Sequence, residues 1–183
     1  TPLGAMLCAW VFYHLFRALI RRFRPSPFTL DPLLRAGLLV CGAYGAYALG
    51  ANNVANVASF FVSAKVTDPD LAVLLGGVCI ALGVLTFSRG VMLTVGRGIT
   101  PLDAFSAFIV VLAQAVTVHV YALVGVPVST SQAIVGAVLG IGLVKGVQII
   151  NVRVLRSILV GWLATPFVAA ALGALLAGIF RSV

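Results

Sequence analysis

The sequence predicts an all-α integral membrane protein built from about six hydrophobic segments. Two features of its composition support this class: 62% of the 183 residues are hydrophobic, and only 9% are charged. A soluble domain is usually about half apolar and about one quarter charged. So few charges could not cover the surface of a soluble protein of this size. The lipid bilayer is therefore the solvent that suits this chain.

Six apolar segments follow one another along the chain. They lie at about residues 3–20, 36–64, 71–87, 104–125, 127–144 and 154–180. A single crossing needs roughly 20 residues, so the second segment is longer than one span requires. The fourth and fifth are separated by a very short turn, and either could be a re-entrant half-helix. We therefore expect some segments to be broken or re-entrant.

Residues 1–35 are predicted to form a transmembrane helix followed by a basic cytoplasmic loop, because cytoplasmic loops collect Lys and Arg. Alternate crossings then place the link at 88–103 and the loop at 145–156 on the same side. The basic residues of these three stretches are Arg17, Arg21, Arg22, Arg24 and Arg35, then Arg89 and Arg97, then Lys145, Arg153 and Arg156. One orientation fits all three, and we expect a multi-pass protein of the plasma (inner) membrane.

The net charge of +8 comes from twelve Lys and Arg against four acidic residues. Topology explains this excess, whereas a nucleic-acid interface needs a basic face on a soluble fold; we expect no nucleic-acid partner. The three cysteines, Cys8, Cys41 and Cys79, lie far apart inside apolar runs. They are expected to pack as small hydrophobic residues rather than to form disulfides or a metal cluster.

The first polar motif interrupts the second apolar segment, with Gly50 and Ala51 leading into Asn52, Asn53 and Asn56. Polar groups at this depth are costly unless they are paired or face water. An Asn amide can bind a cation through its oxygen or an anion through its nitrogen. Gly50 would allow the helix to break or a ligand to approach the backbone. One Asn would usually be a helix–helix contact, but three within five residues favour a binding site.

The second polar motif begins at Pro127 and continues through Val128 into Ser129, Thr130, Ser131 and Gln132. Pro suits the first turn of a helix, since no N–H is needed there. The start of a helix carries partial positive charge and exposed N–H donors, so it favours anions. A single hydroxyl is enough for an ordinary N-cap. Three hydroxyls and an amide in a row indicate a site for an oxyanion.

Other polar or small residues give weaker signals. His119 lies in an apolar run, where a packed, hydrogen-bonded histidine is the expected role and a proton relay the alternative. Asp103 falls in a loop and is expected to be solvated. Gly136, Gly140 and Gly142 would allow another helix to approach closely.

Three other classes of protein were weighed against a transporter. A channel would need a continuous polar lining, and only two polar spots occur. A membrane-embedded enzyme would need a nucleophile with a base or a metal cluster, yet no carboxylate lies within an apolar run; we expect no enzyme. A membrane subunit without a transport role remains an alternative.

The two motifs together resemble the inorganic phosphate transporter (PiT) family. Gly50 to Asn56 is similar to the family signature G-A-N-D-x-x-N, and Pro127 to Gly142 to its signature P-x-S-T-T-H-x-x-x-G-A-x-x-G-x-G. The stretch from Arg89 to Thr100 resembles the linker between these signatures, and Gly161 to Pro166 resembles a later helix. The match spans about 36–180, in the order and spacing of the family.

This resemblance implies one half of a secondary transporter with two inverted repeats. Residues 36–183 look like the C-terminal repeat, and 1–35 like the preceding helix and loop. Phosphate would be cotransported with sodium or protons and without another cofactor. The resemblance places Asn52, Asn53, Asn56, Ser129, Thr130, Ser131 and Gln132 at the substrate site, with Asn52 and Asn53 as sodium ligands. The bilayer and the other repeat would be its partners, and a homo-oligomer is compatible with the sequence.

Two residues depart from the family pattern. Asn53 stands where the first signature has Asp, and Gln132 stands where the second has His. The loss of the carboxylate removes a negative charge that would favour a cation and would repel an anion. Because the family includes sulfate permeases, sulfate is an alternative substrate to phosphate.

Overall fold

The computed structural model describes residues 1–93, 99–100, 102–146 and 150–181. Within these residues the chain forms α-helices and no strand, which confirms the predicted all-α class. The six helices are α1 (Pro2–Phe23), α2 (Pro27–Ser63), α3 (Pro69–Leu93), α4 (Ala104–Leu123), α5 (Thr130–Lys145) and α6 (Val152–Arg181). Each overlaps one predicted apolar segment. Arg97 and the stretch Thr94–Gly96 of the family-like linker lie outside the described residues.

Five of these helices are long and apolar enough to cross a membrane: α1, α2, α3, α4 and α6. The exception is α5, whose 16 residues span about 24 Å at 1.5 Å per residue. The hydrocarbon core is about 30 Å thick, so α5 is too short for a full perpendicular crossing. That α4 or α5 is re-entrant stays a prediction.

Helix α2 differs from the sequence prediction at its start and in its middle. It is helical from Pro27, whereas the loop was expected to extend to residue 35, and only Arg24–Ser26 separate it from α1. Pro27 occupies the first helical position, where its missing N–H costs nothing. The helix also continues without a break through Gly50 for 37 residues in total. Within this unbroken helix, the Asn52 side chain bonds Val128 outside α2.

Helices α1 to α5 form one compact unit, Thr1–Ile150, and Asn151–Val183 with α6 form a second. In the first unit α4 is central and packs against α1, α2 and α5. Helix α3 packs on α2, and α5 also packs on α1. The core is built on α4 and α5 from small and β-branched side chains such as Ile109, Val118, Val138 and Ile141.

Glycines set the close contact between α1 and α5. A Cβ atom added to Gly136 would lie 2.2 Å from the carbonyl oxygen of Pro2, and one added to Gly140 would lie 2.6 Å from that of Met6. Both distances are far shorter than van der Waals contact, so only glycine permits this packing. The side of α1 that faces α5 is also small: the Cβ of Ala9 lies 3.1 Å from where a Gly140 Cβ would be, and Ala5 and Ala9 are fully buried. Small residues four apart on facing helices are typical of membrane helix pairs, as the sequence predicted.

Large apolar side chains cover the outside of the unit. Phe28 is 91% exposed and Leu85 is 82% exposed, while the buried positions are mostly Ala, Gly, Val and Ile. Apolar surface on this scale marks a protein or membrane interface. This distribution suits a chain whose helices are surrounded by lipid.

Asp103 and Lys145 join the start of α4 to the end of α5 by an ion pair. The Asp103 carboxylate also accepts a hydrogen bond of 2.7 Å from the Ser106 hydroxyl. Desolvation alone would raise the pKa of Asp103, but the Lys145 ammonium and the Ser106 hydroxyl outweigh it and hold this pKa below its ordinary value. Asp103 was expected to be only solvated, because its partner lies 42 residues away. The pair places both helix ends on the same side, as the charge pattern predicted.

Candidate functional site

The two polar motifs meet through the side chain of Asn52. Its Nδ2 donates a hydrogen bond of 2.8 Å to the carbonyl oxygen of Val128. Its Oδ1 accepts a bond of 3.2 Å from the Val128 N–H. Asn52 is only 4% exposed, so both bonds are shielded from bulk solvent. One amide on α2 therefore fixes Val128, the residue directly before the N-cap of α5.

The other two asparagines of the first motif occupy different environments. Asn53 is half-buried, and its Oδ1 accepts a bond of 3.0 Å from Nδ2 of Asn52. Asn56 is exposed, and no side-chain hydrogen bond joins its amide to another described residue. Asn53 is thus oriented by Asn52, while the amide of Asn56 is available to a ligand.

The turn between α4 and α5 is held in shape by its own backbone. Gly125 has φ +77°, a left-handed conformation that glycine adopts at low cost. The N–H groups of Gly125 and Val126 donate to the carbonyls of Ala122 and Tyr121. This is the Schellman pattern that closes many helices. It directs the chain from α4 into the Asn52–Val128 contact.

Ser129 caps the start of α5. Its Oγ accepts a bond of 3.3 Å from the N–H of Gln132, which fulfils the ordinary N-cap role. Ala133 donates its N–H to the Ser129 carbonyl. The N–H groups of Thr130 and Ser131 make no hydrogen bond to another described residue, and the Ser131 side chain is exposed. The helix start thus keeps two backbone donors and two hydroxyls for an anion.

A cleft of about 110 Å³ lies where the two motifs meet. Its lining is Ala51, Asn52, Ala55, Asn56, Ala122, Gly125, Val126 and Pro127. At about 30 Å³ per water molecule, this volume would hold a few waters or one small ion. The structure thus brings Asn52 and Asn56 together in this cleft, four residues apart on one face of α2. Ser129, Thr130, Ser131 and Gln132 do not line this cleft; they follow it in the chain.

No charged side chain lines the cleft. The described residues also contain no group of three or more His, Cys, Asp or Glu that could hold a metal ion. The donors and acceptors at hand are neutral amides, hydroxyls and backbone groups. Such a set can bind an anion through N–H and O–H or a hard cation through oxygen. It offers no nucleophile–base pair for covalent chemistry.

A second polar cluster lies about two turns before Asn52 on α2. The Tyr44 hydroxyl and Nδ1 of His119 form a hydrogen bond of 2.5 Å. The ring of Tyr47 packs edge-on against His119 with ring centroids 5.6 Å apart. His119 is therefore packed and hydrogen-bonded, as expected. The sequence analysis did not identify the two tyrosines, because their local sequence does not indicate a partner 75 residues away.

The chain is similar to proteins of known family. Residues 22–173 match the model of the phosphate transporter family. A protein of Thermococcus kodakarensis, provisionally named a phosphate permease, is 38% identical over 179 residues, covering 91% of this chain and 44% of that protein. Human sodium-dependent phosphate transporter 1 is 32% identical over 156 residues, covering 79% of this chain and 23% of that protein. The chain thus spans less than half the length of these relatives.

A solved structure supports the same assignment. This structure, described as the sodium-dependent phosphate transporter, superposes with a TM-score of 0.61 at 29% identity. The match covers 89% of this chain and 51% of that one. The family consists of membrane transporters rather than enzymes. On its sequence, its multi-pass helical fold and this superposition, the chain belongs to the phosphate transporter family.

Proposed function

We propose that this chain forms the C-terminal repeat of a secondary transporter that moves inorganic phosphate across the plasma (inner) membrane. In this proposal residues 36–183 are the repeat, and residues 1–35 supply the preceding helix and basic cytoplasmic segment. The single observation that carries the proposal is the Asn52–Val128 contact, because it joins the two polar motifs beside a cleft. The names of the relatives support phosphate as the substrate.

Phosphate would bind where α5 begins. The N–H groups of Thr130 and Ser131 and the nearby hydroxyls would donate to its oxygens, helped by the positive end of the helix dipole. Asn56 would add a donor from the cleft, and Gln132 would lie at the edge of the site. All of these donors are neutral, so release would not require a strong ion pair to break. The other repeat would complete the site and alternate access around it.

Sodium is the coupling ion that the relatives favour, since several are named as sodium-dependent. Asn52 and Asn53 would be its ligands in this repeat. The Asn52 oxygen already accepts the Val128 N–H, so it has one lone pair left for a cation. Asn53 offers a neutral oxygen in place of a carboxylate. Proton coupling is the alternative, in which this half of the transporter would bind no sodium.

Sulfate is the second candidate substrate, and the absence of a carboxylate around the cleft favours it. At neutral pH phosphate keeps a proton that it can donate to a carboxylate, whereas sulfate only accepts hydrogen bonds. A site made of neutral donors does not require that proton. A membrane subunit without transport activity is the third possibility, in which neither anion would bind.

Thermal stability of the full-length protein in detergent separates these possibilities. A ligand that binds only the folded state must raise the melting temperature. Phosphate and sulfate would each be added with sodium and with potassium. Phosphate stabilisation that needs sodium supports the symporter; phosphate stabilisation with either cation supports proton coupling. Stabilisation by sulfate alone moves the assignment to a sulfate permease, and no response to either anion contradicts a substrate site.

Variants then locate the site. Ser131→Ala and Asn56→Ala should weaken phosphate-dependent stabilisation and phosphate uptake into proteoliposomes, because each removes a donor that the fold does not use. Ser63→Ala is the matched control, since Ser63 is the last residue of α2, does not line the cleft, and donates its hydroxyl only to the Phe60 carbonyl. Equal uptake by all three variants and the unaltered protein would contradict the proposed site.

A further inference from the structure

An apolar groove of about 460 Å³ opens between α1, α2 and α4 at the basic end of the unit. Its walls include Phe16 and Ile20 of α1, Leu34 and Val40 of α2, and Phe105 and Phe108 of α4. Almost all of its surface is apolar. The groove lies far from the Asn52 cleft and shares no lining residue with it.

Arginines flank this groove on both helices. Arg24 directly follows α1 as its C-cap residue in the left-handed conformation, and its N–H donates to the carbonyl of the groove residue Ile20, so its backbone lies beside this end of the groove. Arg21 follows Ile20 directly, and Arg35 lies between Leu34 and Ala36 of the groove wall. These side chains are exposed. A cationic rim therefore borders the apolar groove.

The positive charge at this end is not neutralised by the described residues. Of the two carboxylates nearby, Asp31 pairs with Arg35 at 3.0 Å, and Asp103 pairs with Lys145. Arg17 lies over the ring of Tyr13 at 5.9 Å. No ion pair joins Arg21, Arg22 or Arg24 to a carboxylate within the described part of the chain. Three arginines at the end of a membrane helix therefore remain available for an external anion.

We propose that this groove binds an anionic glycerophospholipid. One acyl chain would lie in the groove between α1, α2 and α4, and the phosphate headgroup would contact Arg21 and Arg24. The chemistry argues for a lipid over a soluble anion, because an apolar groove and a cationic rim at a helix end match both parts of such a molecule. Basic clusters beside transmembrane helices and basic pockets between them are recurrent sites for acidic lipids. This inference does not depend on the transported substrate.

Native mass spectrometry of the protein, expressed from its complete reading frame, tests the proposal. The number of retained lipids is compared for phosphatidylglycerol and phosphatidylcholine with identical acyl chains. The unaltered protein should retain phosphatidylglycerol preferentially. Arg21→Gln and Arg24→Gln should reduce this preference about fivefold for each arginine removed. Arg89→Gln, which removes an exposed arginine from α3, is the matched control for each single change and should keep the preference.

A second variant tests the groove itself. Ala36→Trp fills the groove from its exposed wall and should lower retention of both lipids at this site, whereas Leu85→Trp on the exposed face of α3 should not. Equal retention of the two lipids by the unaltered protein overturns the proposal, as does a preference that survives loss of both arginines. If glycerol phosphate alone displaces the lipid, the arginines bind the headgroup but the groove does not bind an acyl chain, which also overturns the proposal. If Ala36→Trp changes the oligomeric state and leaves lipid retention intact, a protein segment occupies the groove instead.

Discussion

The side-chain amide of Asn52 pairs with both backbone hydrogen-bonding groups of Val128, 76 residues later in the chain. This arrangement resembles one rung of a β-ladder, with an amide side chain in place of the second strand. It holds the turn before α5 against the middle of α2. Asn52 therefore acts first as a structural clamp, and the geometry of the oxyanion site at the start of α5 depends on it.

Replacing Asn52 by Ala should destabilise the protein. The N–H and C=O of Val128 would lose their partners in a half-buried position, and an unsatisfied group costs about 1–3 kcal/mol when buried. We expect a lower melting temperature in detergent together with weaker phosphate-dependent stabilisation. Asn52→Asp should also destabilise, because a carboxylate oxygen would face the Val128 carbonyl.

Asn56→Ala is the control for this clamp. Asn56 lines the same cleft, but its amide makes no hydrogen bond to another described residue. Its replacement should change the melting temperature without ligand by no more than surface substitutions usually do, about 0.5 kcal/mol in free energy. Phosphate-dependent stabilisation should still fall. A melting temperature that drops equally in both variants would contradict the separate roles of the two asparagines.

Gly136→Ala should weaken the packing of α1 on α5. The added methyl group would lie 2.2 Å from the Pro2 carbonyl oxygen, so the helices must separate. Overpacking of this kind costs about 1–3 kcal/mol, measurable as a fall in the melting temperature in detergent. Gly83→Ala on α3 is the matched control, since nothing lies within 4 Å of its added Cβ. That change should be neutral or slightly stabilising, because Ala favours helix over Gly. Equal effects of the two changes would mean that α1 and α5 do not pack so closely.

Hydrophobic runs were sufficient to predict the number and order of the helices. They did not predict the start of α2 correctly, because Pro25, Pro27 and the nearby arginines favour a loop. Ser26 and Pro27 instead form a helix start, with the Thr29 hydroxyl donating to the Ser26 carbonyl at 2.9 Å. The stretch after it is less apolar than a membrane span, so hydropathy alone could not include it in the helix.

The residues of the candidate site were found because polar groups stand out in an apolar chain. Their partners could not be found in this way. Asn52 bonds the backbone of Val128, and every residue type except proline offers those same two groups. The ion pair of Asp103 with Lys145 and the bond of Tyr44 with His119 also join distant segments. Only the packing of α2, α4 and α5 decides which of these groups meet.

The hydrogen bond between Tyr44 and His119 should contribute measurably to stability. Tyr44→Phe keeps the ring against His119 and removes only the hydroxyl, so we expect a loss of about 1 kcal/mol. Tyr47→Phe provides the control, because the Tyr47 ring contacts His119 edge-on and its hydroxyl has no partner among the described residues. Chemical or thermal unfolding in detergent compares the two. An equal loss from the two changes would contradict this role of the Tyr44–His119 hydrogen bond, because Tyr47→Phe keeps the ring contact with His119.

The ion pair of Asp103 and Lys145 should make the stability depend on acidity. Desolvation raises the pKa of Asp103 in the folded protein, but Lys145 and Ser106 lower it by more, so that the net pKa is lowered. A carboxyl group with a lowered pKa stabilises the fold above its ordinary value, about 4, and this contribution disappears as the pH falls through the folded pKa. The effect should be small, because the Asp103 side chain is 55% exposed and exposed pairs contribute about 0–1 kcal/mol.

Melting temperatures of the unaltered protein and of Asp103→Asn between pH 7 and pH 3 measure this contribution. Asp103→Asn should melt at a lower temperature at pH 7, and the two curves should converge below about pH 4, where the unaltered carboxyl is losing its charge. Lys145→Gln should lower the melting temperature at pH 7 by a similar amount, and the double variant should show little further loss, because either single change already breaks the pair. Asp68→Asn, just before α3 and without an ion-pair partner among the described residues, is the control and should lower the melting temperature at pH 7 less than Asp103→Asn does. A constant difference between Asp103→Asn and the unaltered protein across this range would mean that the hydrogen bond with Ser106 or the local helix start, and not the charge of Asp103, stabilises this end of the fold.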